Sequence, residues 1–220
     1  MKAHPFVLVA LVLLTFAGVA QAGPLSPLYL TYSSVGSNIV VVQGNNVINT
    51  FLESYGRPNE SPIAVYSDVR TTGWASYVVG FIQGGQYTLA GTPTGTHYSL
   101  PSVIFQAYDS TTDGSHNYLV DWFTGTVYQT ARDFTNPTAL FNVGADNVGI
   151  TYDAANNSLW ISSYTNPTVA DYSLTGTLLS SFSTGHVENN ALVLDPADHT
   201  LWLVNHLTYN LNSIRRRACC

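Results

Sequence analysis

Hydrophobic and polar residues alternate in short runs along the chain, and turn-forming residues separate the runs. Ile39 to Val42 is a continuous run of β-branched residues, followed by Gly44, and Leu174 to Leu178 encloses a Thr-Gly-Thr turn. Short alternating runs are typical of β-strands, and glycine supplies the positive φ that tight hairpins need. After residue 22, no segment has a sustained 3.6-residue apolar period. The pattern therefore predicts an all-β domain with essentially no helix.

One unit of sequence is repeated between residues 147 and 206. Trp160 and Trp202 occupy the same place in the two copies, and Tyr118 precedes Trp160 by the same interval. Tyr77 precedes Tyr118 by nearly that interval. A repeat of about 40–45 residues, built from strands and turns, is typical of the four-stranded blade of a β-propeller. We therefore predict a β-propeller of about five four-stranded blades, with the aligned tryptophans buried between blades.

The repeat divides the chain into a signal peptide at residues 1–22, a propeller domain at residues 23–214 and an unstructured tail at residues 215–220. In the second blade we expect strands at residues 63–68 and 77–81, and in the third at residues 103–109 and 118–120. The predicted blades cover residues 28–60, 61–100, 101–145, 146–187 and 188–214.

The last blade is shorter than the others, which leaves two interpretations open. The chain is either a five-bladed ring closed by residues 28–32 or a propeller incomplete at its C-terminus. In the second interpretation, which we favour, the Arg-Arg-Arg-Ala-Cys-Cys end is a product of truncation or frameshift.

The leader has the features of a secretory signal. Lys2 precedes an apolar run at residues 6–19, and Ala20-Gln21-Ala22 supplies the small-x-small cleavage pattern. The run is shorter than the roughly 20 apolar residues of a membrane-spanning helix. We therefore expect an extracellular or periplasmic protein with no membrane span after cleavage; an uncleaved anchor is the alternative.

Charge and cysteine placement restrict the partners and the covalent structure. Lys2 is the only lysine, so the mature chain has six arginines against 13 acidic residues, a net charge of −7. An acidic domain does not favour a nucleic acid or an anionic membrane as partner. Cys219 and Cys220 are the only cysteines. Their position excludes a framework of internal disulfides.

Candidate site residues lie just before two predicted innermost strands, where propeller loops converge on the axis. They are Asp146 and Asn147 in one blade and Glu188, Asn189 and Asn190 in the next. Oxygen ligands from successive blades could hold Ca²⁺, which takes about six to eight oxygens. The alternative is that these residues cap turns. We predict no other cofactor.

Other chemistry has little support in the sequence. The histidines of the mature chain have no HxH or HxxxH spacing, and no nucleophile-elbow or phosphate-loop motif occurs. Asp153 and Asp195 recur at the same place in the repeat, which indicates a turn rather than a unique catalytic role. We predict no catalytic residue.

Residues 149–182 contain Gly-Ile-x-Tyr-Asp, then Asn-x-Leu-Trp-Ile, then Asp-Tyr-x-Leu-x-Gly-x-Leu-x-x-Ser-Phe. This pattern resembles a blade of the NHL and gluconolactonase-like propellers. The secreted, lysine-poor and Asn/Ser/Thr-rich chain is also similar to the propellers of bacterial PEP-CTERM proteins, but it lacks their sorting segment. The resemblance to gluconolactonase-like proteins implies a metal site of carboxylate and asparagine ligands.

Two functions from different classes stay open. The first is a secreted binding or scaffold protein, at the bacterial cell surface or in the extracellular space, whose polar loops contact a glycan, an envelope component or another protein. The second is a metal-dependent lactonase-like or lyase-like enzyme with its site on the propeller axis. We favour the first because only two blades supply acid or amide ligands in register.

Overall fold

A computed structural model describes residues 24–32, 38–55, 60–77, 83–206, 208 and 210–214. The predicted signal peptide and the predicted tail lie outside these residues. The described part of the chain consists of strands, turns and loops without a helix, and so contains no helix with the length and apolarity of a membrane span.

The described strands form five antiparallel sheets. The first and last sheets have three strands within the described residues, and the three central sheets have four. Each sheet lies within one of the five residue ranges predicted as blades. The strands are β1 Leu28–Tyr32, β2 Asn38–Gln43, β3 Asn46–Leu52, β4 Ile63–Val65, β5 Val69–Thr71, β6 Gly84–Tyr87, β7 Pro93–Tyr98, β8 Ser110–Thr112, β9 His116–Val120, β10 Thr126–Ala131, β11 Thr138–Asn142, β12 Asn147–Asp153, β13 Ser158–Ser163, β14 Thr168–Ser173, β15 Leu178–Ser183, β16 Asn189–Leu194, β17 Leu201–Asn205 and β18 Leu211–Ile214.

The sheets are the blades of a five-bladed β-propeller. The first strand of each blade is innermost, and these strands contact one another in ring order, β1 with β4, β4 with β8, β8 with β12 and β12 with β16. Within a blade, consecutive strands pair as hairpins. The predicted all-β propeller fold is confirmed.

The repeated aromatic residues mark equivalent places in the last three blades. Tyr118, Trp160 and Trp202 lie on the second strands β9, β13 and β17, and all three are buried. Trp160 packs in one cluster with Leu192 and Leu203 of the next blade. The predicted position between blades is therefore confirmed for Trp160.

Tyr77 does not belong to this series. Tyr77 follows β5 in a turn and is 55% exposed. The centroid of its ring lies 6.2 Å from that of Trp74. The buried hydrophobic residue on the second strand of this blade is Val69. The prediction failed because β5 is short and a long loop follows it, which brings Tyr77 to the expected spacing by coincidence. The rest of the predicted strand, residues 78–81, lies outside the described residues.

The predicted strand at residues 103–109 is also wrong. The strand of the third blade begins at Ser110, and the preceding segment has only one isolated bridge, between Gln106 and Ala75. Ile104 and Ala107 are buried in a cluster with residues of the second and third blades. The apolar alternation thus reflects a loop that packs on the blade core instead of pairing in a sheet.

Asp109 links three blades at their innermost strands. One carboxylate oxygen, Oδ2, accepts hydrogen bonds from the N–H groups of Ile150 on β12 and Leu192 on β16, both at 3.0 Å. The other oxygen accepts the N–H of Ser110 at 2.9 Å. Burial raises the pKa of Asp109 to about 7, although the three N–H groups oppose this shift.

Threonine hydroxyls form similar links along the same strands. Thr111 Oγ1 accepts the N–H of Tyr152, and Thr151 Oγ1 accepts the N–H of Leu194, each at 3.0 Å. Unpaired N–H groups on the edge of a strand are costly to bury and invite wrong pairing. Side chains of the preceding blade therefore satisfy the inner edges of β12 and β16.

The first residues of the described chain contact the last blade through Asp195. Its Oδ2 atom accepts the N–H groups of Leu25 at 2.6 Å and Ser26 at 3.1 Å, and its Oδ1 atom caps the turn at Ala197. Burial would raise the pKa of Asp195, but hydrogen bonds from Ser26, Ala197 and Leu25 outweigh burial and lower it. The strand β1 itself pairs with β2 in the first blade.

Two buried glutamates, Glu53 and Glu60, lie between the last strand of the first blade and the first strand of the second. The carboxylate of Glu60 accepts hydrogen bonds from Thr71 Oγ1 at 2.7 Å, the Tyr87 hydroxyl at 2.6 Å and the Tyr55 N–H at 2.5 Å. Glu53 in turn accepts the N–H of Glu60 at 2.9 Å. Buried carboxylates need such hydrogen-bond partners. Here these hydrogen bonds join the first blade to the second.

Candidate functional site

Asp146 and Glu188 lie at the junctions between consecutive blades, in a continuous ladder of backbone hydrogen bonds. Asp146 donates its N–H to Trp122 O at 3.0 Å and accepts the N–H of Tyr164 at 2.8 Å. Glu188 donates to Tyr164 O at 2.6 Å and accepts the N–H of His206 at 2.9 Å. Both acidic residues have a left-handed backbone, with φ of 64° and 61°. This conformation is uncommon outside glycine, and here the ladder holds it on both sides.

The three predicted asparagines have mainly local contacts. Asn147 Nδ2 donates to backbone carbonyls of its own turn, at 2.8 Å to that of Gly144. Asn189 is fully buried, and its Nδ2 atom donates to His186 O of its own turn at 3.0 Å and to Ser163 O of the preceding blade at 3.2 Å. Asn190 lies on β16 at a register shift. The amides of Asn147 and Asn189 therefore cap turns, which is the alternative to a calcium site that the sequence left open.

The structure does not assemble the predicted residues into a ligand cage for a metal. Within the described residues, no three His, Cys, Asp or Glu side chains are close enough together to hold a metal ion. Asp146 and Glu188 belong to different blade junctions, with Tyr164 between them in the backbone ladder. Calcium binding therefore remains a prediction.

Aromatic rings surround these junctions on the same face of the propeller. The rings of Trp74 and Tyr108 are parallel within 8° at a centroid distance of 6.1 Å. Tyr108 meets Trp122 edge to face at 5.7 Å, Trp122 meets Tyr164 edge to face at 5.2 Å, and Tyr164 meets His206 at 5.9 Å. These five residues form one row across four blades, which we call the aromatic arc.

The sequence contained a signal for three of the five residues of the arc. Trp122, Tyr164 and His206 follow one another at the spacing of the repeat. Each comes just after the second strand of its blade. The repeat does not reveal them readily, because three different residue types occupy the position.

The backbone beneath the arc is fixed by further hydrogen bonds. The Trp122 N–H donates to Gln106 O at 2.8 Å, and the Trp74 carbonyl accepts the N–H of Ala107 at 2.9 Å. The buried carboxylate of Asp121 accepts the N–H groups of Phe105 at 2.5 Å and Phe123 at 2.9 Å. The ladder therefore continues into the second blade.

Tyrosine hydroxyls gather around Tyr108, towards the Trp74 end of the arc. Burial raises the pKa of Tyr108, and the nearby hydroxyls of Tyr77 and Tyr164 raise it further. The Gln106 side chain donates a hydrogen bond to the Tyr108 hydroxyl. Donors and acceptors thus lie beside the half-buried rings of the arc.

The end of the arc in the fifth blade carries a charged group. Glu188 Oε2 lies 3.5 Å from His206 Nδ1, and the Tyr164 hydroxyl lies 3.3 Å from the same nitrogen. The side chains of Glu188 and His206 are 26% and 47% exposed. A ligand on the arc can therefore reach both.

A cleft of about 870 Å³, lined by both apolar and polar residues, lies beside β18, between the fourth and fifth blades. Its walls include Thr184, His186, Asn205, Asn212 and Ser213. Among the described residues, its lining contains no acidic residue and no member of the aromatic arc.

Comparison with known proteins supports the fold. No family model and no curated protein matches the sequence. The structure of a nidogen/laminin complex is similar, with a TM-score of 0.60 and 16% identity over 82% of this chain and 70% of that one. Glutaminyl cyclase from Myxococcus xanthus has a TM-score of 0.56 and 12% identity, over 81% of this chain and 82% of that one.

A structural genomics protein of unknown function from Bacteroides thetaiotaomicron has a TM-score of 0.59 and 14% identity, over 86% of this chain and 55% of that one. These neighbours are β-propeller proteins. At such identities the similarity concerns the fold alone. The resemblances to NHL, gluconolactonase-like and PEP-CTERM propellers remain predictions.

Proposed function

We propose that this chain is an extracellular β-propeller binding protein that holds an uncharged glycan against the aromatic arc. The observation that carries the proposal is the row of five rings, with neighbouring centroids 5.2 to 6.1 Å apart, beside which the Glu188 carboxylate lies 3.5 Å from His206 Nδ1. The extracellular location rests on the leader at residues 1–22.

The chemistry of the arc suits a sugar ring. The face of an aromatic ring carries partial negative charge, which attracts the polarised C–H groups on one face of a pyranose. Sugar hydroxyls can donate to the carboxylates of Asp146 and Glu188, and hydrogen bonds to charged acceptors are stronger than neutral ones. Tyr108 and Tyr164 add hydroxyls that both donate and accept.

The charges near the arc favour an uncharged ligand over an anionic one. Both arginines in the described residues bind Asp68, Arg70 through Nε at 2.7 Å and Arg132 through a guanidinium nitrogen at 2.8 Å. The carboxylates Asp146 and Glu188 would repel an acidic polymer.

The fixed backbone beneath the arc also supports binding. Ordering side chains and loops on association costs free energy, so a site that is already ordered keeps more of its contact energy. The ladder from Trp122 to His206 supplies that order before the ligand arrives.

The test is isothermal titration calorimetry with soluble homo-oligosaccharides of glucose, mannose, xylose and N-acetylglucosamine. We expect one of them to bind, and Trp122→Ala to weaken its affinity about tenfold or more, since loss of a central aromatic anchor costs roughly 2 kcal/mol or more. Tyr66→Ala is the matched control, because Tyr66 is 64% exposed and outside the arc. Equal affinity for the Trp122 variant, folded by circular dichroism, would contradict the proposal, as would no binding to any sugar of the panel.

A further inference from the structure

We infer that the arc binds an internal stretch of a linear glycan chain, which lies across several blades, and not a single sugar or a chain end. This inference rests on the proposed glycan-binding function. It adds the form of the ligand and its direction across the propeller.

The site itself is periodic. Asp146 and Glu188 occupy the same place in consecutive blades, one repeat apart, with the same left-handed backbone. Each accepts from and donates to the backbone of the two neighbouring members of the row Trp122, Tyr164 and His206. The unit of one ring followed by one carboxylate is therefore presented twice. A ligand that repeats chemically can use both units in the same way.

The length of the arc also indicates a ligand of several linked sugars. Four consecutive intervals of 6.1, 5.7, 5.2 and 5.9 Å separate its five rings. One pyranose is similar in size to one aromatic ring, so a single sugar can cover only one step. Contact with the whole arc requires several linked sugars.

The two ends of the arc lead to exposed side chains. Beyond Trp74, the ring of Tyr77 follows at 6.2 Å and this residue is 55% exposed. At the other end the side chain of His206 is 47% exposed. A chain that continues past either end therefore meets solvent-exposed groups instead of a buried wall, as binding of an internal stretch requires.

The experiment measures affinity against chain length. The probes are oligosaccharides of two, four and six units of the sugar that binds best in the panel, titrated calorimetrically into the full folded domain. We expect the hexamer to bind at least tenfold more tightly than the dimer. We also expect His206→Ala to weaken hexamer binding several-fold while it changes dimer binding less than twofold, because the dimer can occupy the central rings.

The control is Tyr66→Ala, which should leave both affinities unchanged. His206→Gln gives a second variant at the same exposed position, in which the amide keeps a hydrogen-bonding group but loses the ring. Equal affinities for dimer and hexamer, or an equal loss for both in the His206 variants, would overturn the inference while leaving glycan binding intact. Absence of binding at every length would overturn the proposed function itself.

Discussion

The carboxylate of Asp109 accepts a hydrogen bond at 3.0 Å from the backbone N–H of Leu192, 83 residues later in the chain. The same oxygen accepts the N–H of Ile150, so one side chain of the third blade holds the innermost strands of the fourth and fifth. Because the group is buried, its charge is costly. The link should therefore depend on pH.

For Asp109 we predict that stability falls as the pH rises from about 4 to about 7. Its folded pKa of about 7 lies above the ordinary value of 3.8, so between these values the folded state binds more protons than the unfolded state. The contribution of this group to the free energy of unfolding therefore decreases with pH, by up to about 4 kcal/mol. Asp109→Asn should remove most of the decline.

Urea unfolding of the wild type and the Asp109→Asn variant at pH 5 and pH 8 measures this effect. The control is Asp198→Asn, which changes an exposed aspartate. The same pH dependence in wild type and Asp109→Asn would show that Asp109 is ionised without penalty in the folded protein.

For Thr151 we predict that the valine variant is less stable by about 1 to 3 kcal/mol, the cost of leaving a buried N–H without an acceptor. The affected N–H is that of Leu194. Val193 lies opposite Trp202 in the fifth blade, just as Thr151 lies opposite Trp160 in the fourth. This position of the repeat therefore accommodates a valine side chain. Thr177→Val, at an exposed position, is the control. A Thr151→Val variant as stable as the control would show that the hydroxyl is dispensable.

For the two repeated tryptophans we predict unequal effects of substitution by phenylalanine. Trp160 Nε1 donates to Asp153 Oδ2 at 3.3 Å, whereas Trp202 Nε1 is buried with no acceptor among the described residues. Both variants lose similar packing, so Trp160→Phe should be the more destabilising by about 1 kcal/mol, the net value of one hydrogen bond. Thermal and urea unfolding of the two variants measure the difference. A larger loss in Trp202→Phe would contradict this assignment.

For Asp195 we predict that the asparagine variant loosens the segment at residues 24–26. Its lowered pKa means that it stabilises the fold above the pKa of the unfolded state and loses this effect as the pH falls through the folded pKa. Asp195→Asn should therefore cost about 1.5 to 3 kcal/mol at pH 7, and this cost should decrease as the pH falls below 3.8 through the folded pKa. Amide exchange of Leu25 and Ser26 should accelerate at pH 7, while that of Ile150 should not. Unchanged exchange at Leu25 would mean that Asp195 does not anchor the segment.

The sequence was sufficient for the fold in those blades that follow the repeat closely. Tyr118, Trp160 and Trp202 lie at equivalent buried positions because a buried site on a second strand needs the same large side chain in each blade. The second blade departs from the repeat. There a short β5 and the loop after it place Tyr77 on the surface, and spacing alone could not distinguish this from a core position.

The candidate site could be predicted only in part. The positions of Asp146 and Glu188 at blade junctions follow from the repeat, and so does the spacing of Trp122, Tyr164 and His206. The stacking of Trp74 on Tyr108 does not, because these residues belong to loops that only the packed structure brings together. The partners of Asp109 likewise depend on how three blades meet at the axis.

The most direct test of the central claim is a crystal structure of the protein with the hexasaccharide that binds best. We predict sugar rings stacked along Trp122 and Tyr164, with hydroxyls near the carboxylates of Asp146 and Glu188. A hexasaccharide bound in the cleft beside β18, with nothing on the aromatic arc, would contradict the account.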